Sequence, residues 1–300
     1  MLQIYDKPIM KSIFILTFLT FSSILFSQEK HEYFGVVKLN GDDKTIISYR
    51  LVFTEQNGVV NGFSVTDMGG DHETKNTIKG SYNAKTKEFS FKEEGVLYTK
   101  SPISNDMFCF INFTGKVKLI NENSKVDGAF KGLFNNKQKC IDGTLGLVGS
   151  SKLYKTLAKV NKRIQKSNKI DNAVKAKANP LALLDSLKVN NLIKDQNLTM
   201  FVDNDKVALE IWDLGKQDGD VINVYQNNVL VLRNYTITNK KKIINVSLAK
   251  TNVFKITAVN EGTISPNTAM LRLVDNDRTF EVQSHLKKDE SAQITIMKSK

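Results

Sequence analysis

Phe34-Gly35-Val36-Val37-Lys38-Leu39-Asn40-Gly41-Asp42-Asp43-Lys44-Thr45-Ile46-Ile47-Ser48-Tyr49-Arg50-Leu51-Val52-Phe53 reads as two strands and the turn between them. Side chains alternate across a strand, so Phe34-Val36-Lys38 share one face and Gly35-Val37-Leu39 the other. Ile46-Ser48-Arg50-Val52 alternates with Ile47-Tyr49-Leu51-Phe53 in the same way. Asn40-Gly41-Asp42 supplies the turn chemistry. The pattern repeats downstream. Candidate strands are Val59 to Val65, Thr77 to Tyr82, Glu88 to Lys92, Val96 to Thr99, Met107 to Phe113, Lys116 to Ile120, Val126 to Leu133 and Cys140 to Leu147, with turns at Gln56-Asn57-Gly58, Gly69-Gly70-Asp71, Asn83-Ala84-Lys85 and Asn135-Asn136. A meander of eight to ten strands closes most readily into a barrel, because closure removes its exposed edges. The expectation for residues 28–150 is an antiparallel barrel, lipocalin-like in architecture only, with a rolled sheet as the runner-up. No G-x-W signature opens it, and the stretch contains no Trp.

Upstream of the barrel, Met10-Lys11 leads into an apolar run from Ile13 to Phe26, followed by Ser27-Gln28. A basic start, a short hydrophobic core and a small residue before a polar one read as a secretory signal over 1–27, with Gln28 opening the mature chain. The run is shorter than the ~20 residues of a bilayer-spanning helix, so no transmembrane helix is expected in the mature chain. The expected location is the periplasm, the cell surface or outside the cell. In an exported chain the two cysteines, Cys109 and Cys140, are expected to form a disulfide. No Cys directly follows the signal, which argues against a lipoprotein.

The net charge of +12 invites a nucleic-acid reading, but its distribution opposes one. Residues 151–177 hold nine basic side chains and one acid, so this short stretch accounts for most of the excess. Within it Leu153, Leu157, Val160 and Ile164 recur at helical steps. A basic helical connector is therefore expected over 151–196, broken at Asn179-Pro180 and followed by a second short helix over Leu181 to Leu187. Three roles are open to it: a solvated linker, a seat on an anionic surface, or a contact with a protein partner. Aromatic interleaving is absent apart from Tyr154, so nucleic acid is disfavoured.

Residues 197–300 show eight or nine short strands in about 100 residues, the rhythm of an immunoglobulin-like sandwich. Neither a Cys pair nor a Tyr corner accompanies them. Asp203-Asn204-Asp205 and Asp275-Asn276-Asp277 are near-identical turns. The sharpest motif is Ile211-Trp212-Asp213-Leu214-Gly215-Lys216-Gln217-Asp218-Gly219-Asp220-Val221-Ile222, followed by Asn260-Glu261-Gly262 and Pro266-Asn267-Thr268-Ala269. Together these resemble a β-sandwich module found at the ends of exported bacterial proteins, with the pattern W-D-x-G-x-x-D-G-D, then N-x-G and P-N-T-A. The resemblance covers the last 100 residues. It implies the fold and the exported location, and no reaction.

Asp213, Asp218 and Asp220, with Glu261 or Asn260 from a neighbouring loop, form a candidate Ca²⁺ site, since hard cations gather six to eight oxygens. The spacing does not match an EF-hand. The competing reading is a strand connection built from Asx turns. Asp71-His72-Glu73 reads as a solvated loop tip, because alternation would send His72 away from the two acids. Glu93 and Glu94 point to opposite faces of a strand and cannot flank a glycosidic bond. No G-x-S-x-G, P-loop, Rossmann or zinc pattern occurs. The leading expectation is an exported, non-enzymatic binding or envelope-associated protein. Its barrel would take a small apolar ligand or be packed with its own Phe residues, and its sandwich would be an interaction or spacer module. A surface-assembly component predicts no cavity, and a hydrolase predicts a cleft where distant acids or His converge.

Overall fold

The computed structural model describes residues 29–41, 44–248 and 251–299. The expected signal lies outside the described residues. Eight strands open the fold: β1 (Lys30–Leu39), β2 (Ile46–Gln56), β3 (Val59–Thr66), β4 (Thr74–Asn83), β5 (Glu88–Thr99), β6 (Phe110–Lys116), β7 (Lys125–Leu133) and β8 (Gly143–Gly149). Each pairs antiparallel with the next, and β1 pairs with β8 from Tyr33↔Gly149 to Leu39↔Gly143, so the meander is a closed eight-stranded barrel. Strand alternation directs one residue set inward. Tyr33, Tyr49, Phe53, Val60, Ile78, Phe89, Phe113, Val126 and Leu147 are buried and belong to one core drawn from all eight strands. Their rings run in a chain, with centroids 5.9 Å apart for Tyr33–Phe53, 5.2 Å for Phe53–Phe89 and 5.7 Å for Phe89–Phe91. The barrel bends sharply where small residues allow it. A Cβ on Gly62 would stand 2.0 Å from the Val52 carbonyl oxygen, so only glycine permits that approach. The disulfide joins Cys109 and Cys140 across the open end of β6 and β7.

β5 is one long strand rather than the two expected. It pairs with β6 only from Glu88↔Lys116 to Lys92↔Asn112. Register shifts against β4 follow between Ile78 and Thr77 and between Asn76 and Lys75, and such bulges bend a strand. The freed end then pairs with a strand of the second half, Thr99↔Thr199 and Tyr98↔Met200. Expected strands over Met107 to Phe113 and Lys116 to Ile120 resolve into a short 3₁₀ turn (Asn105–Met107) and β6.

The connector comprises α1 (Ser150–Lys166), α2 (Asn172–Lys177) and α3 (Pro180–Ser186). Asn179 caps α3, accepting from the backbone N–H of Leu181 at 3.2 Å and of Ala182 at 3.3 Å, with Pro180 in the first turn. No helix of the described residues is long and apolar enough to cross a membrane.

Ten strands follow: β9 (Asn191–Ile193), β10 (Asn197–Val202), β11 (Lys206–Trp212), β12 (Val221–Gln226), β13 (Val229–Thr236), β14 (Lys242–Ser247), β15 (Thr251–Ala258), β16 (Asn267–Asp275), β17 (Arg278–Leu286) and β18 (Ser291–Lys298). They form two sheets, in the orders β13-β12-β15-β18-β10 and β14-β11-β16-β17-β9. The β10–β18 and β17–β9 pairs are parallel. Inward residues of both sheets, among them Leu198, Ile211, Val224, Phe254, Leu271 and Ile294, share one core. Tyr98 of β5 belongs to that same core, so the barrel and the second half are joined by a continuous sheet.

Candidate functional site

The barrel wall carries an external concavity of about 880 Å³ over β4 to β8. Its lining follows from register. Lys79 lies opposite Lys92, Lys92 opposite Asn112, and Asn112 opposite Lys131, so these four side chains cross four adjacent strands in one row. Beside them Ser81 pairs with Ser90 and Ser90 with Thr114, a row of hydroxyls in which the two Ser Oγ atoms are 3.0 Å apart. Neighbouring strands lie ~4.8 Å apart, so the charged row spans about 14 Å. Glu94 takes up two of the cations, with Lys79 Nζ at 2.9 Å and Lys92 Nζ at 2.6 Å, and these pairs hold its carboxyl below the usual range. Lys131 has no ion-pair partner among the described residues.

Inside the barrel, beside the buried polar residues Ser64 and Asn76, lies Glu93. Its Oε1 accepts from Tyr49 Oη at 2.9 Å and Ser64 Oγ at 2.5 Å, and its Oε2 from the Ile111 N–H at 2.8 Å. Among the described residues no cation pairs with it. Burial raises its pKa, and the raised pKa of Tyr49 has the same first cause. The location explains the residue. β5 leaves β6 just past Lys92, and the Glu93 carboxylate caps the Ile111 N–H near that parting. Alternation correctly separates Glu93 from Glu94, but the adjacency argument concealed this role. The visible signal was parity: Phe89, Phe91 and Glu93 share the inward face.

A second buried cluster sits at the junction. Glu73 is not at a solvated tip; it is 2% exposed. Its Oε1 accepts from Tyr98 Oη at 2.8 Å and its Oε2 from the Gly69 N–H at 2.8 Å, with Lys100 Nζ at 3.7 Å. Lys100 Nζ donates to the Asn191 carbonyl at 2.6 Å, tying the barrel to β9. Burial pulls the Lys100 pKa down, partly offset by Glu73. Asp71 and His72 do lie at the surface, as expected.

The motif residues form a knot of loops. Asp213 Oδ1 accepts from the Gly215 N–H at 2.7 Å, an Asx turn. Asp218 Oδ2 accepts from the Ile264 N–H at 2.8 Å, and Asp220 Oδ2 from the Thr268 N–H at 2.8 Å. Asn260 Oδ1 accepts from the Val221 N–H at 2.7 Å, and Asn267 Nδ2 donates to the carbonyls of Val221 and Asn260. Glu261 turns elsewhere, accepting from the Lys288 N–H at 3.0 Å and from Ser265, which lowers its pKa. Among the described residues no three His, Cys, Asp or Glu side chains group closely enough to hold a metal ion. Two acceptors stay unpartnered, Asp220 Oδ1 and Asn267 Oδ1, both buried. Burial, and then the charges of Asp218 and Asp213, push the Asp220 carboxyl up to about 6. The twin turns also meet. Asp275 accepts from the N–H groups of Asp203 and Asn204, and Arg278 bridges Asp275 and Asp203. Trp212 packs between two cations, with Lys241 Nζ and the Arg272 guanidinium each 5.0 Å from its ring. No protein-family profile, curated protein or solved structure matches this chain.

Proposed function

We propose that this chain is an exported, non-enzymatic binding protein of the cell envelope whose ligand lies on the barrel wall rather than in the lumen. The observation that carries the reading is the row Lys79–Lys92–Asn112–Lys131 beside the hydroxyl row, in a concavity of about 880 Å³. Three ammonium groups, an amide and three hydroxyls, set against the carboxylates of Glu94 and Asp142 in the same lining, suit a hydroxyl-rich ligand of modest negative charge, such as a segment of an acidic polysaccharide. Aromatic side chains fill the lumen, which leaves a small apolar ligand less support than the wall. The second half is proposed to be an immunoglobulin-like sandwich serving as spacer or interaction module. Two five-stranded sheets on one core and the parallel pairing of its strands β10 and β18 support this.

The test is titration calorimetry with a uronic-acid oligosaccharide. Binding that weakens with salt and falls about tenfold or more in K92E/K131E is the expected result. Binding that ignores both changes contradicts the wall as the site. A second reading concerns the loop knot: the unpartnered Asp220 Oδ1 and Asn267 Oδ1 favour a Ca²⁺ ion that would add these two oxygens to solvent ligands. A rise in melting temperature with Ca²⁺, lost in D220N, would establish it; no rise would leave the knot as hydrogen bonding alone.

A further inference from the structure

α1 is a cationic helix whose first turns are tied to the body. Ser151 Oγ donates to the Glu122 carboxylate at 2.7 Å, and the Lys152 N–H to the Glu122 carbonyl at 3.1 Å. Tyr154 Oη bonds Asp185 of α3, and Lys188 Nζ sits 4.8 Å from the Tyr154 ring. With those turns tied down, one face is turned outward. Lys152, Lys155, Lys159, Lys162 and Lys166 recur at steps of three and four, and all five are exposed. Leu153, Leu157 and Ile164 lie on the other side and are partly covered. At 1.5 Å per residue the lysine stripe is about 21 Å long. None of these lysines has an ion pair among the described residues. Toward the end of the helix Lys159, Lys162, Arg163 and Lys166 line, with Ser167, a concavity of about 440 Å³.

Helix stability does not account for the stripe. Cations are favourable near a helix C-terminus, which covers Arg163 and Lys166. Lys152 and Lys155 stand at the opposite end, where the macrodipole repels them and the first turn carries no acid of its own; the Glu122 carboxylate there bonds Ser151 and forms no ion pair with either lysine among the described residues. A one-signed row along one exposed helix face matches an extended field of negative charge. The stripe carries no aromatic ring for stacking on bases, which disfavours single-stranded nucleic acid.

We propose that this lysine stripe seats the protein on an anionic lipid bilayer surface. The seat is separate from the barrel-wall site, which uses Lys79, Lys92 and Lys131 on other elements. The test is co-sedimentation of the chain from Gln28 onward with phosphatidylglycerol-containing vesicles and with pure phosphatidylcholine vesicles, at low and high salt. The comparison variant is K152E/K155E/K159E. Glutamate at 152 complements the positive end of the helix dipole and is a good helix former at 155 and 159, so the helix is kept, and circular dichroism verifies it. The expected result is partition onto the anionic vesicles only, lost at high salt and reduced about 100-fold or more in the variant, since each basic group near such a surface is worth about fivefold. K92E/K131E retains full partition, which separates this proposal from the one above. Absent or equal binding to the two vesicle types overturns it, as does a variant that binds like the parent. Release from vesicles by an equivalent amount of duplex DNA or uronic-acid polymer also overturns it, and assigns the stripe to that polymer.

Discussion

Replacing Glu93 by Ala probes the point where the barrel wall gives rise to the second half. The change removes the acceptor of the Ile111 N–H and of two hydroxyls, all buried. An unsatisfied buried N–H costs about 1–3 kcal/mol. Tyr49 and Ser64 both reach the same carboxylate oxygen and also lie within hydrogen-bonding range of each other, so they recover part of their loss. Lost packing adds about 1 kcal/mol, and the expected destabilisation is about 3–4 kcal/mol. Trp212, the only tryptophan, reports on the second half, whereas near-ultraviolet circular dichroism reports on the Tyr-rich barrel. With a urea slope of about 3 kcal/mol per molar, both midpoints fall together by about 1 M. The continuous sheet requires them to move together. Glu93→Gln keeps one acceptor for Ile111 and turns its amide toward hydroxyls that can rotate, so it costs under about 1 kcal/mol at pH 5. The native pKa of Glu93 is raised, so wild-type stability falls as pH rises through that value. Glu93→Gln lacks this loss and gains on the wild type as the pH rises. A Trp212 transition that stays in place while the barrel signal shifts would refute the continuity. A loss below 1 kcal/mol in Glu93→Ala would refute the capping role.

Lys100→Met leaves Glu73 buried without its cation and frees the Asn191 carbonyl; a loss of about 3–5 kcal/mol is expected in urea melts. Asp220→Asn is expected to stabilise the protein at pH 7.5. The carboxyl has its native pKa near 6, above the unfolded value, so the wild type is penalised above that pH and recovers as pH falls toward 4. Thermal melts at pH 5 and 7.5 check this, and a destabilised Asp220→Asn at pH 7.5 would instead point to a bound cation. Cys109→Ser/Cys140→Ser opens a loop of sequence separation 31 and should lower stability by about 3–4 kcal/mol, measured by calorimetry without reductant.

The barrel was legible because each strand carries its own alternation and each turn its own Asn, Gly or Asp. Phe34 to Phe53 alone fixes which side chains of β1 and β2 face inward. Closure was inferred correctly from the length of the meander. What local pattern does not carry is partner choice. Nothing in Glu88 to Thr99 announces that its first half belongs to β6 and its end to β10, since the pairing with Thr199 spans a hundred residues. β9 was hidden in the expected connector because three residues show no periodicity. Glu73 was misplaced because a loop beginning Gly69-Gly70 looks solvated until Tyr98, Lys100 and Gly69 converge on its carboxylate. The motif around Trp212 did identify residues that act together. Asp218, Asp220, Asn260 and Asn267 each bond backbone of another loop, whereas Glu261 faces the turn before β18.

The proposed ligand site lies on the wall and not in the lumen. Its most direct test is NMR shift mapping during titration with a uronic-acid oligosaccharide. The Asn112 side-chain amide is expected to move first, together with the backbone amides of Lys79, Lys92 and Lys131. Shifts centred on the lumen residues Tyr33, Phe53 and Phe89, or no shifts at all, would contradict it.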